Sequence, residues 1–154
     1  MDALTVTRAQ PGDPGVRAIL QTHHDLMRAS SPEESCHALD VESLLEAGAT
    51  LLVARDGEEV LGVGALAPLC DGEGELKSMH TTQAARRRGV ASLILDALVA
   101  EARDTGLTRL NLETGSADMF APARALYARA GFTECPPFGS YNADPLSVFM
   151  TREV

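Results

Sequence analysis

Long apolar runs are absent from this chain of 154 residues, and no stretch reaches the ~18–20 residues that a membrane-crossing helix needs. No membrane partner is therefore expected. Cysteine is scarce, and Cys36, Cys70 and Cys135 form neither a CxxC pair nor a metal-like spacing. The histidines His23, His24, His37 and His80 make no HxxxH or HExxH pair, so no metal is expected. Basic residues are outnumbered: 13 Lys and Arg stand against 22 Asp and Glu, for a formal net charge of −9. Nucleic acid, whose phosphates demand the opposite balance, is not an expected partner. A cationic acceptor such as an amine suits the surplus better. Internal repeats, low-complexity tracts and linkers are also lacking, so residues 1–154 read as one domain. The opening MDALTVTRAQPGD lacks the basic-then-apolar order of a secretory signal. A cytoplasmic setting with reduced thiols is the expectation.

What is present is a globular balance, 45% hydrophobic and 23% charged, in a chain long enough to bury its own core. LTVTRA (4–9) alternates as a half-buried strand does. After PGDPG, the segment VRAILQTHHDLMRA puts Val16, Ile19, Leu20, His23, Leu26 and Met27 on one helical face. DVESLLEAG reads as a short helix with Asp40 as N-cap and Gly48 as its stop. TLLVARDGEEVLGVGALAPL is two β-rich runs joined by Asp56-Gly57, a hairpin signal. GELKSMHT (74–81) reads as a strand, with Leu76, Ser78 and His80 on one side and Glu75, Lys77, Met79 and Thr81 on the other. A helix is predicted from Arg86 to about Asp104, carrying Val90, Leu93, Ile94, Ala97 and Leu98 in helical rhythm. LTRLNLET (107–114) is a strand, Pro122 and Gly131 bound the helix APARALYARAG, and LSVFMTR is a last strand. The order β-α-α-β-β-β-α-β-α-β predicts an α/β fold around a mixed sheet with an antiparallel meander in its middle.

RRRGVA (86–91) stands at the junction of the 74–81 strand and the long helix. A helix start leaves backbone N–H groups without partners and carries the positive end of the helix dipole, so an anion held there gains several bonds at once. Gly89 permits close backbone approach, Ala91 is nearly as small, and Arg86, Arg87 and Arg88 can add charge-assisted bonds. The pattern is neither GxxxxGK[ST] nor GxGxxG, and alone it fits a solvated helix start equally well.

RRRGVA also fits the R/Q-x-x-G-x-G/A signature, and so resembles the acyl-CoA-binding turn of the GNAT N-acetyltransferases, with Arg86, Gly89 and Ala91 at its defining positions. ELKSMHTTQAARRRGVASLILDAL looks like that family's central strand and helix, and PARALYARAGF looks like its later A-x-x-LY-x-x-x-GF helix. The likeness is strongest from about Glu73 to Thr151, where it points to a small bacterial branch of acetyltransferases. It implies a mostly antiparallel central sheet with flanking helices, and acetyl-CoA as cosubstrate with no metal. The diphosphate would lie on the amides of Arg88 to Val90 and Ala91. The pantetheine arm would extend the edge of the 74–81 strand, with Met79 and Thr81 as backbone donors that also stabilise the oxyanion. That strand would splay from 107–113, and the thioester would sit in the gap.

Acetyl transfer to an amine needs a base, an oxyanion site and a proton for the leaving thiolate. Glu75 lies eleven residues before Arg86, where the resemblance puts a base glutamate; it also reads as an exposed strand residue or a partner for Lys77. Glu113 is the rival base. Tyr127 matches the family tyrosine that protonates or touches the coenzyme sulfur, against a plain core role. Where the family often has a pantetheine-binding asparagine, this chain has Phe120, and Asn111 or Ser116 would replace that contact. His80 stands where the closest-looking branch carries arginine; it either acts on substrate choice or as a base, or packs under the sheet. The acceptor pocket would be lined by the first two helices and CPPFGSYNADP, with Phe138 and Tyr141 as walls and Glu33, Asp40 and Asp144 as negative charge. The implied activity is direct transfer of acetyl from acetyl-CoA to a primary amine, a small molecule or a peptide lysine, in a ternary complex. A catalytically degenerate acyl-CoA-binding regulatory module is the alternative. A strand edge near the C-terminus could pair two copies as a homodimer.

Overall fold

The Asp56-Gly57 turn closes the expected hairpin between β2 (Thr50–Asp56) and β3 (Glu59–Pro68), and the rest of the sheet is laid on either side of it. The computed structural model describes residues 4–10, 12–30, 41–69, 71–86 and 88–154. Around the hairpin stand β1 (Leu4–Arg8), β4 (Glu73–Thr81), β5 (Arg109–Gly115), β6 (Thr133–Glu134) and β7 (Ser147–Glu153), in the order β1-β2-β3-β4-β5-β7-β6. Every pairing is antiparallel except that of β4 with β5. Helices α1 (Pro14–Ser30) and α2 (Val41–Glu46) cover one face; α3 (Val90–Asp104) and α4 (Ala121–Arg129) cover the other. The α/β class and the mostly antiparallel sheet are thus as expected. β6 is a strand that the sequence does not signal, because two residues cannot display alternation; it pairs with β7 at Met150 and Thr151.

Each face has its own core. Val16, Ile19 and Leu20 of α1 and Leu44 of α2 pack on Leu51, Val53, Val63 and Ala65. On the far side Val90, Ile94, Leu95, Leu98, Val99 and Ala102 of α3 pack on Leu52, Ala54, Leu66, Leu76, Leu110 and Leu112. The stripe of α3 differs from the expected one: Leu93 is exposed, while Leu95 and Val99 are buried. The helix also begins at Val90 rather than Arg86. A 3-10 turn over Gln83–Ala85 and the left-handed Gly89 (φ 76°) intervene, and a left-handed residue cannot belong to an α-helix.

The strand pattern of β4 is overturned as well. Val63 pairs with His80 but Ala65 with Lys77, so Ser78 and Met79 together stand against Gly64. This is a β-bulge, and Ser78 adopts φ 54°, a left-handed conformation uncommon outside glycine. Beyond the bulge the alternation changes phase. Met79 packs with Leu76 on the α3 side, and His80 shares the α1 side with Glu75 and Lys77.

Gly64 is what makes room for the bulge. A Cβ built on it would lie 2.6 Å from Met79 Sδ, 2.7 Å from Ile94 Cγ2 and 2.9 Å from Leu98 Cδ1. Gly64→Ala should therefore lower the unfolding free energy by about 1–3 kcal/mol, the usual cost of overpacking, as read from urea midpoints. An unchanged midpoint would show that the bulge is not packed in this way.

Candidate active site

β4 and β5 run parallel only from Glu73↔Arg109 to Leu76↔Leu112, and then part. Beyond that point β4 continues to Thr81 and β5 to Gly115, which leaves a fork between them. Thr82 N–H donates to Leu61 O at 2.8 Å on the β3 side, so alternation turns the Thr81 N–H toward the fork. Asn111 locks the base of the fork. Its Nδ2 donates to Glu73 Oε1 at 2.9 Å and Gly74 O at 3.3 Å, and its Oδ1 accepts from Thr151 Oγ1 at 2.8 Å. Asn111 is 3% exposed and both its donors are engaged, so it is a clamp between β4, β5 and β7 rather than a spare coenzyme ligand. Ser116 is committed too: its N–H donates to Leu146 O and its hydroxyl to Pro145 O.

At the open end of β4 lies the arginine turn. Leu93 N–H donates to Gly89 O at 3.0 Å, the first bond of α3. The amides of Gly89, Val90, Ala91 and Ser92 precede that ladder. A Cβ on Gly89 would meet nothing within 4 Å, so glycine is needed there for its φ and not for space. Arg86 is exposed, whereas Arg88 is half-buried, with its Nη2 3.1 Å from Asp56 Oδ2 and its amide donating to Ala85 O at 3.3 Å. Arg87 lies outside the described residues, as do Cys36, His37, Cys70, Glu33 and Asp40.

Two polar clusters occupy the α1–α2 side of the sheet. In the first, Tyr141 Oη donates to Glu75 Oε2 at 2.6 Å, and Lys77 Nζ donates to the same oxygen at 3.0 Å and to Tyr141 Oη at 2.8 Å. Phe138 and Phe149 wall it at ring distances of 5.3 and 5.6 Å from Tyr141. Burial and the bond to Glu75 raise the Tyr141 phenol, so it stays protonated. Glu75 is therefore no free strand carboxylate; it is held by Lys77 and Tyr141 beside a cavity of about 360 Å³ that Ala47, Pro68 and Leu69 also line. The sequence showed the Glu75–Lys77 pairing by its i, i+2 spacing, but Tyr141 is 64 residues from Lys77 and no local pattern joins them. Glu113 stands nearby on β5 and accepts from Ser147 Oγ at 2.7 Å. Asp144 lies before β7 and accepts from Leu146 N–H at 2.8 Å.

In the second cluster, His80 Nδ1 faces His23 Nδ1 of α1 at 3.1 Å. His80 lines a cleft of about 940 Å³ between α1, the β2–β3 hairpin and the turn after β4, where Asp13, Arg55, Glu58 and Arg86 also stand. On the opposite side of the sheet Tyr127 is buried in the α3–α4 core, edge to face with Phe132 at 5.9 Å, and burial raises its phenol. The Phe120 ring lies against Gly115 at the end of β5.

Mutation can weigh how tightly the members of the Glu75–Lys77–Tyr141 cluster depend on one another. Tyr141→Phe removes one bond to a charged acceptor and should cost about 1.5–3 kcal/mol. Lys77→Met leaves Glu75 without its cation and should cost more, about 3–5 kcal/mol, in the same denaturant titration. Equal losses, or none, would show that the buried charge is solvated by another route.

The comparisons with known proteins agree with this architecture. Residues 17–132 match the Acetyltransferase (GNAT) family. YsnE of Bacillus subtilis, described as an uncharacterized N-acetyltransferase, is 44% identical over 139 residues, covering 90% of this chain and 92% of its own. YedL of Escherichia coli, described in the same words, is 45% identical over 138 residues, covering 90% and 87%. A solved GNAT family acetyltransferase from Elizabethkingia anophelis with acetyl-CoA bound shares the fold at a TM-score of 0.72 and 18% identity, over 100% of both chains. By the family match and by these two relatives, the chain belongs to the GNAT family of acetyltransferases.

Proposed function

We propose that this protein transfers an acetyl group from acetyl-CoA to a primary amine, a small amine or a protein lysine, by direct attack within a ternary complex. The observation that carries this reading is the fork between β4 and β5, open beside a helix start whose leading amides precede the α3 ladder. A diphosphate fits that turn because no side chain fills the space at Gly89. The amides of Gly89, Val90, Ala91 and Ser92 and the side chain of Arg86 would hold it. Arg88, tied to Asp56 and Ala85, would shape the turn instead. The edge donors of Met79 and Thr81 would fix the thioester and its oxyanion. Positioning of this kind, with the amine held against the carbonyl, would supply much of the acceleration.

Tyr127 would give its proton to the leaving sulfur; burial keeps that proton in place at pH 7. Phe120 would wall the pantetheine path where a polar contact is missing. On the acceptor side, Glu75, Lys77 and Tyr141 with Phe138 and Glu113 would shape the pocket. The aromatic rings offer an apolar wall, and the buried cluster fixes their orientation.

Isothermal titration with acetyl-CoA, together with thiol release over an amine library, tests the reading. The wild-type protein should bind and turn over. Gly89→Val, strained at φ 76°, should weaken acetyl-CoA binding roughly 10-fold or more, since a strain of about 1–3 kcal/mol falls on the cradle. Tyr127→Phe should keep the affinity and lower kcat by about 100-fold, the range of a lost proton donor. Tight binding without turnover over any amine would instead identify a regulatory acyl-CoA sensor.

A further inference from the structure

The carboxylates on this side of the sheet are already hydrogen-bonded to their neighbours. Glu75 Oε2 already accepts from Lys77 and from Tyr141, and Glu113 accepts from Ser147. The bulge at Ser78 brings a different group to the acceptor face, namely His80, which strict alternation would have put on the other side. There it meets His23 with 3.1 Å between the two Nδ1 atoms, the rings edge to face at 5.1 Å and 71°. Two neutral imidazoles at that distance hold one proton between them, since one nitrogen must donate and the other accept. When His80 donates, its proton sits on Nδ1 and its Nε2 carries a bare lone pair. His80 lines the cleft of about 940 Å³, which solvent and a ligand can enter, while His23 is packed behind it on α1.

We propose that His80 takes the proton from the acceptor nitrogen, and that His23, by accepting from His80 Nδ1–H, is the positioning residue that keeps His80 Nε2 free. The proposal rests on the acetyl-transfer reading above. The amine arrives neutral. As its lone pair forms the C–N bond, the carbonyl pair moves onto oxygen and one N–H proton passes to His80 Nε2. The carbonyl then re-forms, the C–S bond breaks, and sulfur leaves with the electron pair and takes a proton from Tyr127. His80 returns its proton to water and Tyr127 is reprotonated from water, so one amide and one thiol result.

Both rings are suited to start neutral. Burial, then the charges of His80 and His24, lowers His23 from 6.5 to about 4. Burial and then Arg86 lower His80. The other charged groups around the cleft are the Asp13–Arg55 ion pair and Glu58. Because the neutral form is the active one, activity should be lost as pH falls through the His80 value, which lies below the ordinary 6.5.

The test combines kinetics with ring-nitrogen NMR. Thiol release with benzylamine, tyramine and Nα-acetyl-lysine is followed from pH 5 to 9, and acetyl-CoA affinity is measured beside it. At saturating amine, where the amine's own ionisation drops out of kcat, His80→Gln should lower kcat about 100-fold and abolish its acid limb while leaving acetyl-CoA affinity intact. His23→Asn should cost about 10-fold and move the acid limb, a displacement that mere packing would not produce. The 15N spectra should show two neutral rings at pH 7, one of them protonated at Nδ1. A folded His80→Gln protein with unchanged kcat and unchanged acid limb would overturn the proposal, as would spectra with either ring doubly protonated at pH 7. Failure of the wild-type protein to bind acetyl-CoA would instead overturn the acetyl-transfer reading, and the calorimetry separates the two.

Discussion

The left-handed backbone at Ser78 is the constraint on which the site depends. A non-glycine residue held at φ 54° costs on the order of 1–3 kcal/mol, so its surroundings must over-determine it. They do so from both sides. Gly64 leaves the space into which Met79 turns, and Met79 packs with the core beneath α3. Asn111 ties β4 to β5 and β7 just before the strands separate, so the strain falls at one place and the fork begins at a fixed residue. Without the bulge, β4 would continue flat, and His80 would lie on the α3 side. One backbone torsion thus sets the opening of the fork, the turn toward α3 and the side chains presented to each face.

The α1–α2 face bears polar machinery that stability alone does not explain. Among the described residues the buried polar ones are Glu75, Ser78 and Asn111; Glu75 and Asn111 lie just before the parting of the strands and Ser78 just beyond it. Burying Glu75 with Lys77 brings little net stability, because desolvation of both charges offsets their attraction. What the pair does provide is a fixed orientation for Tyr141 and, through it, for the 135–145 segment and its aromatic wall. On the proposed reading, a pocket that selects its amine gains more from such rigidity than from a few tenths of a kcal/mol.

Much of this was legible from residue patterns. The hairpin at Asp56-Gly57, the stop at Gly131 and the element order apart from β6 all follow from local chemistry, and the structure bears them out. The family likeness rests on RRRGVA and the LY-x-x-x-GF helix, and the family match confirms it. The sides of β4 beyond Ser78 were not legible, because a bulge leaves no mark in an alternating pattern; Gly64, on a different strand, is its cause. The commitments of Asn111, of Tyr141 to Glu75 and of His23 to His80 span 37 to 66 positions of chain, and no spacing rule reaches that far. Local propensity places the elements; contacts across the sheet decide what each polar side chain can still do.

The division of the molecule by its sheet has a chemical consequence. Tyr127 belongs to the α3–α4 core, and His80 stands on the α1 face. On the proposed reading the first is the acid that the sulfur needs and the second is the base that the nitrogen needs. An acid and a base in direct contact would exchange a proton with each other and serve neither partner. Separated by a layer of paired strands, they can meet only through the reacting atoms in the fork. The phenol is held protonated by burial and the imidazole is held neutral by burial, so one physical effect, desolvation, sets both groups for opposite duties. On that reading, the sheet that carries the fold also keeps the two proton transfers apart.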